Sequence, residues 1–314
     1  MTKTFDFDIG KYPSLPRLRG LFVTGTDTGV GKTLIAGAIA RRLRQLGRRV
    51  EVFKPVATGC PRKGGLGLVS EDAEFLAACA ESRRTLAEIV PICYATAVAP
   101  NVAAMREHRP VDLQTIFDAY SSLANSLSGE QQASPKAASL SSTDAVIVEG
   151  VGGLLCPITD DFWVIHFAKM TALPLVIVAR PGLGTINHTL LTLHAARTAG
   201  LNVAGVVVND YLLEPPYDLP LPTTSPRRQS KSSRPSEPPF RDDTDIAMFH
   251  NPQEIAARGK VDVLAIVPHE EQNSVQQATI GPDTEFNIAQ VPWGKMMEQG
   301  DVRPRDPGWA SAKP

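Results

Sequence analysis

The chain is poor in cysteine. Four residues (Cys60, Cys79, Cys93, Cys156) are spread over 314 positions, with no C-x-x-C pair and no histidine at ligand spacing beside them. That leaves no disulfide frame or zinc site to organise the fold, and reduced thiols of a cytoplasmic protein are expected. Charge of one sign is also missing: 32 basic and 33 acidic residues give a net charge of −1. No long-range attraction to nucleic acid or to an anionic membrane follows from such a balance. The longest apolar stretches, such as Pro174–Ala179, fall far short of the roughly 20 residues of a transmembrane helix. The first twenty residues hold no apolar run, so no secretory signal is expected.

Proline, by contrast, is abundant, and eight of the 26 prolines fall in Leu212–Phe240 beside many Ser and Arg residues. This stretch has neither helical nor strand periodicity, so 212–243 is expected to be a disordered insert within one domain covering 1–314. The tail 272–314 is weakly patterned.

The rest alternates apolar β-branched runs with helical stretches. Leu21–Gly25, Val50–Phe53, Ala145–Glu149, Pro174–Ala179, Val203–Asn209 and Val263–Val267 lack in/out alternation, as expected of parallel strands covered on both faces. Thr33–Leu46 and Thr185–Ala199 have helical spacing, and each stops at a glycine, Gly47 or Gly200, suited to a helix C-cap. The pattern predicts an α/β fold with a mostly parallel open sheet flanked by helices, and ligands at the carboxyl ends of the strands.

The first strand runs into Gly25-Thr26-Asp27-Thr28-Gly29-Val30-Gly31-Lys32-Thr33, followed by a helix. Gly25 stands one residue before the position of a strict G-x4-G-K-[ST] pattern. Small residues here let backbone N–H groups converge on phosphate oxygens at a helix N-terminus, with Lys32 on the terminal phosphates and the Thr33 hydroxyl on Mg²⁺. Mg²⁺ commonly adds one or two carboxylates. Glu149, ending a buried strand before Gly150-Val151-Gly152-Gly153, and Asp72 are the candidates. Read alone, Lys54 is an exposed lysine after a strand; the competing reading is a cation at the carboxyl end of a strand beside the first.

Five motifs in chain order resemble those of dethiobiotin synthetases: GTDTGVGKT; Lys54-Pro55-Val56-Ala57-Thr58-Gly59; Val148-Glu149-Gly150-Val151-Gly152-Gly153-Leu154; Gly182-Leu183-Gly184-Thr185-Ile186-Asn187-His188; and Val208-Asn209-Asp210. The match spans roughly Leu21 to Asp210, with a weaker echo at Ala265–His269. The resemblance implies a P-loop NTPase-like three-layer architecture and a cytoplasmic homodimer that uses ATP and Mg²⁺. The implied reaction joins CO2 and 7,8-diaminononanoate into a cyclic urea. It further implies that Gly29, Val30, Gly31, Lys32, Thr33 and Leu34 hold phosphate, with Gly150, Val151 and Gly152 beside them. Thr33, Asp72 and Glu149 would bind the metal, and Lys54 and Lys32 would be catalytic. Thr28, Thr58 and Asn187 would contact the diamine, Asn187 across the dimer. Asn209 and Asp210 would meet the base, with Val267–His269 lining its pocket.

Two other readings compete. A cobyrinate amidating enzyme shares the loop but needs a glutaminase domain with a reactive cysteine, and no cysteine follows Cys156. A ParA/MinD-like ATPase switch would carry an extra lysine early in the loop, where Thr26 and Asp27 stand.

Overall fold

In the computed structural model the described residues are 7–65, 67–129, 144–212 and 243–297. All but the two end residues of the expected insert 212–243 lie outside them, as do the last residues of the tail from 298 onward. Six strands form one sheet: β1 (Gly20–Gly25), β2 (Arg49–Phe53), β3 (Asp144–Gly153), β4 (Leu175–Ala179), β5 (Val203–Tyr211) and β6 (Val263–Pro268). Their order is β6-β5-β4-β1-β3-β2, and every pairing is parallel. From β1 the chain crosses to β2 on one side, and from β4 it moves to β5 and β6 on the other. That divergence opens a crevice at the carboxyl end of β1.

Both faces of the sheet are apolar, which is why the strands read as continuous runs. Phe22, Val146, Val148, Ile177 and Val208 point into one core. They meet α3 (Leu113–Gly129), α4 (Val164–Thr171) and α5 (Thr185–Thr198) there. Leu21, Val23, Val52, Ile147 and Val178 point into the other core, against α1 (Lys32–Gln45) and α2 (Glu71–Ala80). This is a three-layer α/β/α fold. A further helix, Asp243–Gly259, adds Met248 and Ile255 to the first core.

The weakly patterned tail is ordered as far as it is described. Short helices Pro282–Ala289 and Trp293–Met296 bring Ile288, Trp293 and Met297 into the core beside α1. The Trp293 indole donates to the Ile288 carbonyl at 2.8 Å. No helix among the described residues is long and apolar enough to cross a membrane.

Strand β3 extends past its expected end at Glu149. Val23 pairs with Glu149 and Gly25 with Gly153, so two steps along β1 face four along β3. The extra residues form a bulge beside the phosphate loop, a device that re-aims side chains next to a site.

Candidate active site

The loop between β1 and α1 is shaped by glycines in the left-handed region, Gly29 at φ 75° and Gly31 at φ 87°. Gly31 is the N-cap of α1 and offers no side-chain cap, so the first-turn N–H groups of the helix remain available to an anion. A Cβ on Gly29 would meet nothing within 4 Å, as befits a loop edge facing open space. The Lys32 ammonium folds back to donate to the Asp27 carbonyl at 2.9 Å. Burial pushes its pKa down, against the pull of Glu149. A buried cation lowered in this way gains from an incoming anion, so the loop fits a phosphate.

Lys54 is not the exposed lysine of the simpler reading. It is 5% exposed, and its ammonium is held between two carboxylates, Asp72 and, at 2.9 Å, Glu149. Burial works against its charge, but Glu149 and Asp72 outweigh it and raise the pKa. The register of β2 against β3 and the N-terminal turn of α2 make this meeting possible. Ser70 caps α2, accepting from the Ala73 N–H at 3.2 Å, and so fixes Asp72 in the first turn, where a helix dipole favours negative charge. Burial raises the Asp72 pKa, but the Lys54 charge more than offsets it and holds the carboxyl below its ordinary value.

Glu149 is 1% exposed. Its Oε1 accepts from the Thr33 hydroxyl at 2.8 Å and from Lys54. Its Oε2 is buried with no hydrogen-bond partner among the described residues. An orphaned carboxylate oxygen is costly, and burial accordingly pushes the Glu149 pKa up against the pull of Lys54. Thr33, Asp72 and Glu149 together supply only hard oxygen donors, with two carboxylates, which is the donor set Mg²⁺ takes beside a nucleotide. The residues present therefore fit a magnesium ion.

The remaining expected residues divide. Asn209, 5% exposed, donates from Nδ2 to the Val30 carbonyl at 3.1 Å, while its Oδ1 has no partner. Exposed Asp210 adopts φ 68° and contacts His269 Nδ1 at 2.6 Å. Gly152 approaches the loop: a Cβ there would lie 3.7 Å from the Thr28 hydroxyl. Gly150 faces elsewhere, because its Cβ would meet Val164 at 2.9 Å and Phe22 at 3.2 Å. It is a core-packing glycine. Val30 and Leu34 also turn their side chains into apolar clusters, so only their backbone can serve a phosphate. Thr58 is half-buried, four residues past Lys54, and Asn187 is exposed on the first turn of α5; neither belongs to the buried cluster. Asp27 had no assigned role in the sequence, yet its carbonyl receives Lys32 and its Oδ1 accepts from the Thr28 N–H at 2.7 Å.

A family model described as "AAA domain" matches residues 19–277. Similar proteins include ATP-dependent dethiobiotin synthetase BioD of Bacillus cereus (strain B4264), 41% identical over 192 residues that make up 61% of this chain and 71% of the relative. The chain belongs to the dethiobiotin synthetase family. Two other members, from Thermodesulfovibrio yellowstonii and Bacillus subtilis (strain 168), are 37% and 34% identical. They are covered over 75% and 78% of their own lengths, by 60% and 64% of this chain. The shared part of a dethiobiotin synthetase thus leaves over a third of this chain unmatched. Among solved structures, the MinC:MinD complex of Aquifex aeolicus is similar at TM-score 0.45 and 14% identity over 90% of this chain and 94% of that one. A ParA family ATPase of Chlorobium tepidum TLS reaches 0.44 and 12%, over 88% and 99%. Likenesses this loose do not bear on activity.

Proposed function

We propose that the protein is a cytoplasmic ATP- and Mg²⁺-dependent dethiobiotin synthetase. It joins CO2 to 7,8-diaminononanoate and closes the ureido ring, releasing ADP and phosphate. The observation that carries this reading is Lys54, buried between Asp72 and Glu149 and sharing the Glu149 Oε1 with the hydroxyl of Thr33 in the phosphate loop. A fixed cation in a dry site is of little use for holding the protein together. It is of great use where a phosphoryl group gathers negative charge in transit.

In this reading one amine of the substrate adds to CO2 and forms a carbamate, whose carbon is a poor electrophile because its oxygens carry negative charge. Transfer of the γ-phosphoryl group to a carbamate oxygen makes a carbamic-phosphoric anhydride. The second amine then attacks the carbon, the ring closes and phosphate leaves. Lys32 and the backbone from Gly29 to Leu34 hold the phosphates, with the β3 bulge from Gly150 to Gly152 bordering the loop. Lys54 neutralises charge on the transferring group. Thr33, Asp72 and Glu149 would hold the magnesium ion, which supplies charge neutralisation on the phosphate oxygens. Thr28 and Thr58 contact the diamine, and Asn209 and Asp210 the base. Asn187, exposed at the start of α5, reaches the substrate of a partner protomer in a homodimer.

The test is direct. Purified protein supplied with ATP, Mg²⁺, bicarbonate and diaminononanoate should yield dethiobiotin by mass spectrometry, with one ADP for each product. ATP hydrolysis indifferent to the diamine, with no dethiobiotin formed, would overturn the proposal.

A further inference from the structure

Cys60 and Cys93 take no part in the phosphate chemistry, yet the fold brings them together. The short strand Val56–Ala57 pairs in parallel with Ile92–Cys93, setting Ala57 against Cys93. The chain then curls so that the Cys60 N–H donates to the Tyr94 carbonyl at 2.9 Å. Both side chains turn toward the same apolar cluster, Cys60 within it and Cys93 packed against it, and both thiols are free. Their surroundings differ. Cys60 is 5% exposed, whereas half-buried Cys93 lines a cleft of about 690 Å³ whose walls include Arg62, Ser70, Leu86, Glu107 and Arg109. The Arg109 guanidinium donates to the carbonyl of Cys93 itself and lies 4.4 Å from the centre of the Tyr94 ring.

From this pairing we infer that Cys93 and Cys60 form a redox modification site, in which an anionic low-molecular-mass disulfide enters the arginine-walled cleft and leaves an intramolecular Cys60–Cys93 disulfide behind. Cys93, the thiol open to the cleft, attacks first: its sulfur bonds to one sulfur of the incoming disulfide, the S–S bond breaks, and one thiolate leaves with the electron pair. Cys60 then attacks Cys93 Sγ of the mixed disulfide and the second thiolate departs. The two protons given up by the cysteines end on the two departing thiols, so one small disulfide is reduced as one protein disulfide forms. The division of roles agrees with the local electrostatics. The neighbouring Cys60 side chain, with Arg109 and Lys54, holds the Cys93 thiol below its ordinary pKa against burial and the charge of Asp72. The neighbouring Cys93 side chain and burial push the Cys60 pKa up. That assigns the first attack to Cys93 and leaves Cys60 to resolve the mixed disulfide, while burial pushes Cys79 and Cys156 up to about 11.

The cross-link would tie the segment that follows Lys54 to the strand Ile92–Cys93. The test uses the folded, full-length protein treated with oxidised glutathione, then alkylated and digested without reduction. The expected product is two hydrogens lighter than the untreated chain and gives one cross-linked peptide pair containing Cys60 and Cys93. Cys60→Ser should stop at a stable glutathione adduct on Cys93, and Cys93→Ser should stay unmodified. Neutral hydroxyethyl disulfide should react several-fold more slowly than oxidised glutathione, and Arg62→Ala should narrow that gap. A lasting adduct on Cys93 in the unaltered protein, cross-links through Cys79 or Cys156, no reaction, or equal rates with both reagents would each overturn the inference.

Discussion

The Lys54 ammonium lies 2.9 Å from a Glu149 carboxylate oxygen, and both side chains are all but removed from water. Asp72 completes the bridge from the more open side. Buried ion pairs contribute little net stability once desolvation is counted, but removing one partner leaves an uncompensated charge and costs about 3–5 kcal/mol. Stability and catalysis therefore make separable demands on the same three residues.

Lys54→Met should separate them. It removes the charge while keeping much of the volume, and it leaves Glu149 and Asp72 to take up protons. Turnover should fall by about a hundredfold or more, the scale of losing one electrostatic contact to a transition state. The Km for ATP should move far less. Steady-state kinetics with saturating diamine will show it. A raised Km at unchanged kcat would mark Lys54 as a binding residue only.

Glu149→Gln retains a hydrogen-bonding shape and should leave the circular dichroism spectrum intact. Its neutral amide cannot balance a divalent cation, so the Mg²⁺ concentration for half-maximal turnover should rise at least tenfold, about 1.4 kcal/mol. Unaltered rates at limiting Mg²⁺ would take Glu149 out of the metal site.

Asp72 gives the protein an acid limb. Its folded pKa lies below the ordinary value of 3.8, because the Lys54 charge outweighs the opposing effect of burial. The unfolded chain therefore binds a proton more readily than the folded one. The stability this confers is complete above the unfolded value and is lost as pH falls through the folded one. Denaturant melts of the nucleotide-free protein from about pH 6 down to about pH 3 should fall off more steeply for the unaltered protein than for Asp72→Asn. Parallel curves would contradict the pairing.

Gly31→Ala tests the loop. At φ 87° a side chain costs about 1–2 kcal/mol in backbone strain alone. The new Cβ would also sit 2.1 Å from Asn209 Nδ2. Gly29→Ala carries similar strain at φ 75° but meets nothing. The Gly31 variant should melt at the lower temperature by several degrees and lose more ATP affinity, measured by calorimetry. Equal effects would mean that the Asn209 contact yields freely.

Much of this was legible in the sequence because it is local. An apolar run without alternation is a strand covered on both faces, and Lys32 and Thr33 follow their strand through a glycine-rich turn and open a helix, the local context of a phosphate loop. The parts that were not legible depend on distance. Glu149 and Asp72 were expected as metal ligands and Lys54 as a cation near phosphate, but only the register of β2 on β3 and the Ser70 cap put all three in contact. Gly150 has the sequence context of a phosphate-side glycine, yet strand alternation turns it toward Phe22 and Val164. The tail shows little helical pattern because its buried residues, Ile288, Trp293 and Met297, are spread over two short, separate helices and the residue that follows them.

The bond from Asn209 to the Val30 carbonyl has a practical consequence. It fastens the end of β5 to the phosphate loop, with Gly31 pressed against the same amide. Anyone reshaping this enzyme to accept a different nucleoside triphosphate through the base contact proposed for Asn209 would be changing the loop's scaffold as well. Libraries that vary position 209 should vary 30 and 31 with it, as one module.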